Sequence, residues 1–311
     1  MRVTNAMITN NYMNNLNQNL ERMNDLQNQV ATNKRITKLS DDPVGVISSM
    51  EARTKLNQID QYDRNIDSSM TWLEQSESAI LEMNEIVQSA YEMTVHIANE
   101  FMTETDKLAA AEEIAQYKEH ILQVGNSKSG DKYVFGGFNV NTPPFTLNGS
   151  GDLLYNGLDL TNAADPLLIA EKAQVVEFEI GLNMKTQASI TGPMVMDMGP
   201  DNVYQVLADL EESLRSNASV DEIGSYISKL QGNQSHLMSV DAELGGRMNR
   251  LDLIKNRYED DFLSYTELKS NIEDADLAEV TMNWKMAEAV YLAALGIGQK
   301  IIQPSLVNYL Q

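Results

Sequence analysis

The chain has 311 residues, no cysteine, 6% aromatic residues and a formal net charge of −22. That acidity disfavours nucleic acid and anionic membrane surfaces, which carry the same sign. The missing cysteines exclude disulfides, thiol catalysis and cysteine-bound metal.

Residues 1–40 form a first segment, opening "MRVTNAMITNNYMNNL", with no apolar run of the kind a cleavable leader needs. Its charges are Arg2, Arg22, Lys34, Arg35 and Lys38 against Glu21 and Asp25. Met13, Leu16, Leu20, Met23 and Val30 recur at helical spacing, a thin seam. Asparagine, a poor helix former, fills many positions between them. Such a segment either packs as an ordinary helix within the chain or orders only against a partner.

"KLSDDPVGVI" at 38–47 places two adjacent carboxylates before a proline and a glycine. No histidine or further acid stands nearby to complete a metal or acid–base site. Ser40, Asp41 or Asp42 can cap a helix by accepting from its first backbone N–H groups. Pro43 suits the first helical position, and the acids favour the positive end of the helix dipole. These four residues are read as a helix-initiation motif.

Residues 41–129 then carry a heptad row through Ile59, Ile66, Leu73, Ile80, Val87, Thr94 and Phe101, with Leu56, Met70, Tyr91 and Ala98 on companion positions. A second helix follows, with Thr105 or Asp106 as its cap, an apolar face through Leu108, Ala111, Ile114, Ala115, Ile121 and Val124, and Gly125 at its end. Residues 130–200 differ. "KYVFGGF", "PPFTLNGSGDLLYNG" and "VVEFEIGLN" are short β-prone runs between Asn-Gly, Gly-Ser-Gly and Pro-Pro punctuation. Residues 201–273 return to helix, with one face through Val203, Leu207, Leu210 and Leu214. A long seam follows from Ile223 to Ile272, locally weakened by Gly224, Gly232, Gly245 and Gly246. Residues 274–311 hold a last seam through Leu277, Val280, Trp284, Ala287, Tyr291, Ala294, Gly298 and Ile301. The expected fold is mainly α with an inserted small β-rich domain. Both chain ends would build a long antiparallel coiled-coil-like helical stalk.

No enzyme signature emerges. His96, His120 and His236 are far apart and read as solvated or structural. Phosphate-loop and nucleophile-elbow patterns are missing, and no cofactor or metal is expected. "GIG" at 296–298 reads as close helix packing. The acidic runs "YEDDF" at 258–262 and "EDADLAE" at 273–279 read as solvated helix faces.

Several of these stretches resemble the flagellin family. "SDDPVGVISSM", preceded by "NKRITK", is similar to the family's N-terminal segment; "SNIEDADLAEVTMNW" and "IIQPSLVNYL" are similar to its C-terminal motif and end. "GDKYVFGGFNVNTPPF" and the opening "MRVTNAMITNNY" resemble the family's hook–filament junction branch more than filament flagellin, which remains the alternative. The resemblance covers about residues 1–145 and 200–311; the β middle is the family's variable region. It implies a structural, non-enzymatic subunit in the extracellular flagellum, exported by the flagellar secretion system. Residues 1–40 and 274–311 would be assembly segments, disordered before assembly, and 41–129 and 201–273 the two halves of the stalk. Implied partners are other copies in a ring or helical layer, hook-associated protein 1, flagellin and an export chaperone, with no nucleic acid and no membrane insertion. A secreted coiled-coil adaptor and a stalked secreted enzyme are the readings from other classes.

Overall fold

The computed structural model describes residues 5–99, 103–149 and 151–302, with side chains from 7 to 299 apart from 99–102 and 150. Phe101, the side chain of Ile301 and most of "IIQPSLVNYL" lie outside the described residues. The chain is mainly helical, in the order α1 (Asn5–Thr32), α2 (Pro43–Asn99), α3 (Glu104–Gly125), β1 (Lys128–Ser129), β2 (Lys132–Tyr133), β3 (Phe145–Leu147), β4 (Leu153–Tyr155), β5 (Leu158–Asp159), α4 (Pro166–Lys172), β6 (Glu177–Gly181), β7 (Met184–Gln187), α5 (Gly192–Val195), α6 (Val203–Arg215), α7 (Val220–Glu273) and α8 (Leu277–Ile302). It divides into two compact units, Met1–Ile59 with Glu259–Gln311, and Asp60–Tyr258.

In the second unit, α2 and α7 run antiparallel. Gln234 Nε2 donates to Gln88 Oε1 at 2.6 Å and Lys255 Nζ to Asp67 Oδ1 at 2.6 Å, so their numbers run oppositely in equal steps. The expected row Ile66, Leu73, Ile80, Val87 and Thr94 is buried. Its companion row is not Met70, Tyr91 and Ala98, which are half-buried, but Ser69, Ser76, Met83, Ala90 and Ile97. A polarity pattern misses serines. Here they can be buried because each hydroxyl is satisfied within its own helix, Ser69 Oγ on Asn65 O at 2.8 Å and Ser76 Oγ on Trp72 O at 2.9 Å. Helix α7 runs unbroken through its four glycines, each of which faces open space.

The cap of α3 lies earlier than expected. Thr103 accepts from Asp106 N and Asp106 reaches back to Thr103 N at 3.1 Å, a reciprocal capping box. Helix α3 packs on α6 through Ile114, Ile121 and Val124 against Leu207, Leu210 and Leu214, with Lys118 paired to Glu211 at the margin.

The inserted β region is three small antiparallel sheets, β1-β2, β3-β4-β5 and β6-β7, each built from sequence neighbours. Its core is Phe145, Leu153, Tyr155, Leu160 and Leu168. Gly192 is required there: a Cβ would sit 2.5 Å from both Phe145 Cζ and Tyr155 Cε2. Burial pushes the Tyr155 hydroxyl up, and it donates to Phe135 O at 2.9 Å. Asn126, just past α3, anchors β3 by donating to Phe145 O (2.9 Å) and accepting from Phe145 N (3.0 Å).

Candidate functional site

The first unit contains "NKRITK", "SDDPVGVISSM" and "SNIEDADLAEVTMNW", three of the stretches that carried the sequence resemblance. The loop after α1 and the loop before α8 meet as a short antiparallel bridge, Lys34 opposite Asp274. Arg35 N donates to Glu273 O at 2.7 Å and Ala275 N to Asn33 O at 3.1 Å. The Arg35 guanidinium adds a bond to Ile272 O at 2.8 Å. Backbone pairing therefore fixes the two loops together, and side chains then converge on one carboxylate.

That carboxylate is Glu273, 5% exposed. Arg53, from α2, grips it with two bonds of 2.7 Å, Nε to Oε1 and Nη2 to Oε2. Lys34 Nζ lies 2.8 Å from Oε2 and 2.9 Å from Asp274 Oδ1. The Ser49 hydroxyl donates to Oε1. A buried carboxylate is tolerable only when so fully paired. The Arg53 guanidinium, with Lys34 and Ser49, holds the Glu273 carboxyl well below the ordinary range. Lys34, then Ser270, lowers Asp274 in the same way. Within the run "EDADLAE", read as a solvated face, Glu273 is the exception: it is buried, while Asp274, Asp276 and Glu279 are exposed. Glu273 is a buried strut, Asp274 an ion-pair partner, and Asp276 caps α8 by accepting from Ala278 N at 2.9 Å. The sequence held a hint in the basic "NKR" of 33–35, but nothing linked it to an acid more than 200 positions away.

At the initiation motif, the structure separates the two aspartates. Asp42 Oδ1 accepts from Gly45 N at 2.9 Å and its carbonyl from Val46 N at 2.9 Å, while Pro43 is the first residue of α2. Asp41 instead closes the preceding turn, accepting from Lys38 N (2.8 Å) and Thr37 N (3.1 Å), which lower its pKa. Ser40 is exposed. Gly45 has a steric reason: a Cβ would lie 2.5 Å from Asp42 Oδ2 and 2.9 Å from Ile36 Cδ1.

The terminal helices α1 and α8 pack on each other. The half-buried α1 stripe runs Thr9, Tyr12, Leu16, Asn19, Met23, Leu26 and Val30, a four–three repeat. Of the expected seam it contains Leu16, Met23 and Val30; Met13 and Leu20 are exposed. On α8 the stripe is Val280, Trp284, Ala287, Tyr291, Ala294 and Gly298, with Leu277 exposed. Tyr12 Oη donates to Ala294 O at 2.9 Å, and Gly298 leaves room for the ring: a Cβ there would stand 2.1 Å from Tyr12 Oη. Gly296 faces open space. Helix α8 is apolar on its other side as well, where Met282, Met286, Val290, Leu292, Leu295 and Ile297 are exposed. A helix apolar all round belongs in an interior, and one chain covers only half of this one.

Nothing in this geometry resembles a reaction centre. His120 Nε2 lies 2.9 Å from Glu82 Oε1 and His236 Nε2 2.9 Å from Met194 O, well separated in the chain. Among the described residues, no helix is long and apolar enough to cross a membrane.

The helical ends are tied by a bridge and a shared carboxylate, and the β region is inserted between the helical parts of the chain. Residues 3–139 match the bacterial flagellin N-terminal helical region. Over 309 residues the chain is 21% identical to flagellar hook-associated protein 3 of Salmonella typhimurium, covering 94% of this chain and 95% of that protein. It is 22% identical to the protein of the same name from Escherichia coli over 86% of both. A flagellin of Halalkalibacterium halodurans matches at 21% over 87% of this chain and 83% of its own. The flagellar junction protein FlgL of Legionella pneumophila superposes with a TM-score of 0.59 at 14% identity, over 74% of this chain and all of that one. FlgL of Bacillus cereus gives 0.56 at 19%, over 71% and 99%. The chain is thus similar to flagellar hook-associated protein 3 over nearly its whole length, and the relatives it matches are structural proteins of the bacterial flagellum.

Proposed function

We propose that the protein is the subunit of a junction layer between hook-associated protein 1 and the flagellin filament, assembled through its terminal helices. The observation that supports this is the second apolar side of α8, left open while the first is packed on α1. Each such Met, Leu, Val or Ile contributes up to about 1.5–3 kcal/mol when covered, so neighbouring copies laid against this side favour assembly. Residues 1–40 and 274–311 act as assembly segments, with Met13, Leu20 and Leu277 turned outward toward neighbours. Residues 41–129 and 201–273 are the helical halves, and 130–200 is the variable β region. Of Ser40, Asp41, Asp42 and Pro43, Asp42 and Pro43 start α2 and Asp41 closes the turn before it, a structural role. Partners are further copies in a ring or helical layer, hook-associated protein 1, flagellin, and a chaperone that shields the open helices before export.

Deleting the gene and imaging flagella tests this. The expected result is hooks without filaments and flagellin shed into the medium. Intact filaments would refute the junction role, and loss of filaments without shed flagellin would make the chain a filament flagellin instead.

A further inference from the structure

Two surfaces of the first unit are open within one chain and match each other chemically. One is a groove beside the start of α2, lined by Ile36, Leu39, Val46 and Met50, with Lys38 and Arg53 at its rim. Leu39 is 67% exposed. Lys38 shares an exposed ion pair with Asp25 at 3.2 Å, and Arg53 keeps an exposed edge while gripping Glu273. The other surface is on α7, where Phe262 and Leu263 project beside the exposed Glu259 and Asp260, one helical turn before them. Leu263 is 67% exposed, and neither acid is ion-paired among the described residues. One surface is an apolar hollow with a cationic rim; the other is an apolar knob with an anionic collar.

We propose, building on the self-assembly reading above, that Phe262 and Leu263 of one copy seat in the Ile36–Met50 groove of a second copy, with Glu259 and Asp260 facing Lys38 and Arg53. Charge points to a second copy. A chain of net charge −22 repels its own kind, so contact between copies needs its scarce basic surface set against its acidic one. Residues 1–40 hold five cations against two acids, and the groove opens from that segment. Knob and hollow are different patches, so the contact is head-to-tail. Repetition then closes a ring or propagates a helix, the geometry a layer needs.

The absence of native cysteine makes the test direct. Leu39→Cys and Leu263→Cys chains are co-expressed as the only copies in the cell, and isolated hook–filament structures are oxidised and run without reductant. A disulfide forms only when the Cα atoms come within about 7 Å. The expected result is a dimer band that needs both variants, disappears when either is omitted, and weakens when assembly is challenged with high salt. Both variants present in the flagella without a dimer would overturn this contact and leave the junction role standing. Dimers from one variant alone would show symmetric pairing and also overturn it. Failure of the wild-type chain to enter flagella would remove the contact and the assembly reading together.

Discussion

Replacing Glu273 with glutamine probes whether one carboxylate holds the terminal helices. The variant keeps the volume but removes the charge, and turns an amide N–H₂ toward Arg53, Lys34 and Ser49, all of them donors. Charge-assisted bonds contribute about 1.5–3 kcal/mol each when buried. Arg53 is 56% exposed in its side chain and regains water on release, so most of its share is screened. A net loss of about 2 kcal/mol is the working figure, close to a 30-fold change in a local opening equilibrium. Hydrogen exchange on the full chain is the assay. At pH 7, amides of α1 and α8 should exchange roughly 30-fold faster in Glu273→Gln, while those around Ile80 and Val87 in the second unit stay unchanged. The pH dependence has a definite sign. The folded carboxyl lies below its unfolded value of about 4.3, so its contribution is complete above that value and declines as pH falls toward the depressed folded one. The difference between wild type and variant should therefore be constant from pH 8 to about 5 and shrink below about 4. Unchanged protection at pH 7, or a difference that ignores pH, would refute the strut.

Gly298→Ala should loosen α1 from α8 by about 1–3 kcal/mol through the clash with Tyr12, whereas Gly296→Ala, facing open space, should gain up to about 1 kcal/mol from helix propensity; opposite signs in thermal melts of the two variants are the check. Asp42→Ala should cost about 1 kcal/mol at the start of α2. Gly45→Ala should cost more alone than in the Asp42→Ala background, because the cap carboxylate is part of what its methyl would strike, and additivity in urea denaturation would contradict that. Gly192→Ala should selectively destabilise the β region by about 1–3 kcal/mol, seen as loss of protection at Phe145 and Tyr155 with α1 and α8 unaffected.

Local rules and period were enough to determine much of this protein. Proline after an aspartate marks where α2 begins, since both act through bonds within one turn. A seven-residue apolar repeat gave one row of the α2 seam, because burial every two turns is written in residue type. The mainly helical class with a short β insertion followed from where that period stops. The second seam row was hidden by Ser69 and Ser76, whose suitability for burial depends on hydrogen bonds that only a formed helix supplies. The same limit applies more strongly to the clasp. Arg53 and Glu273 are 220 residues apart, and no local feature distinguishes Glu273 from the solvated acids around it. Gly296 and Gly298 are alike in sequence, yet only one lies over Tyr12. The sequence determined which residues could be helical and apolar. The tertiary structure decided which of those faces one chain covers, because coverage depends on long-range neighbours, and the faces left open are the ones available for assembly.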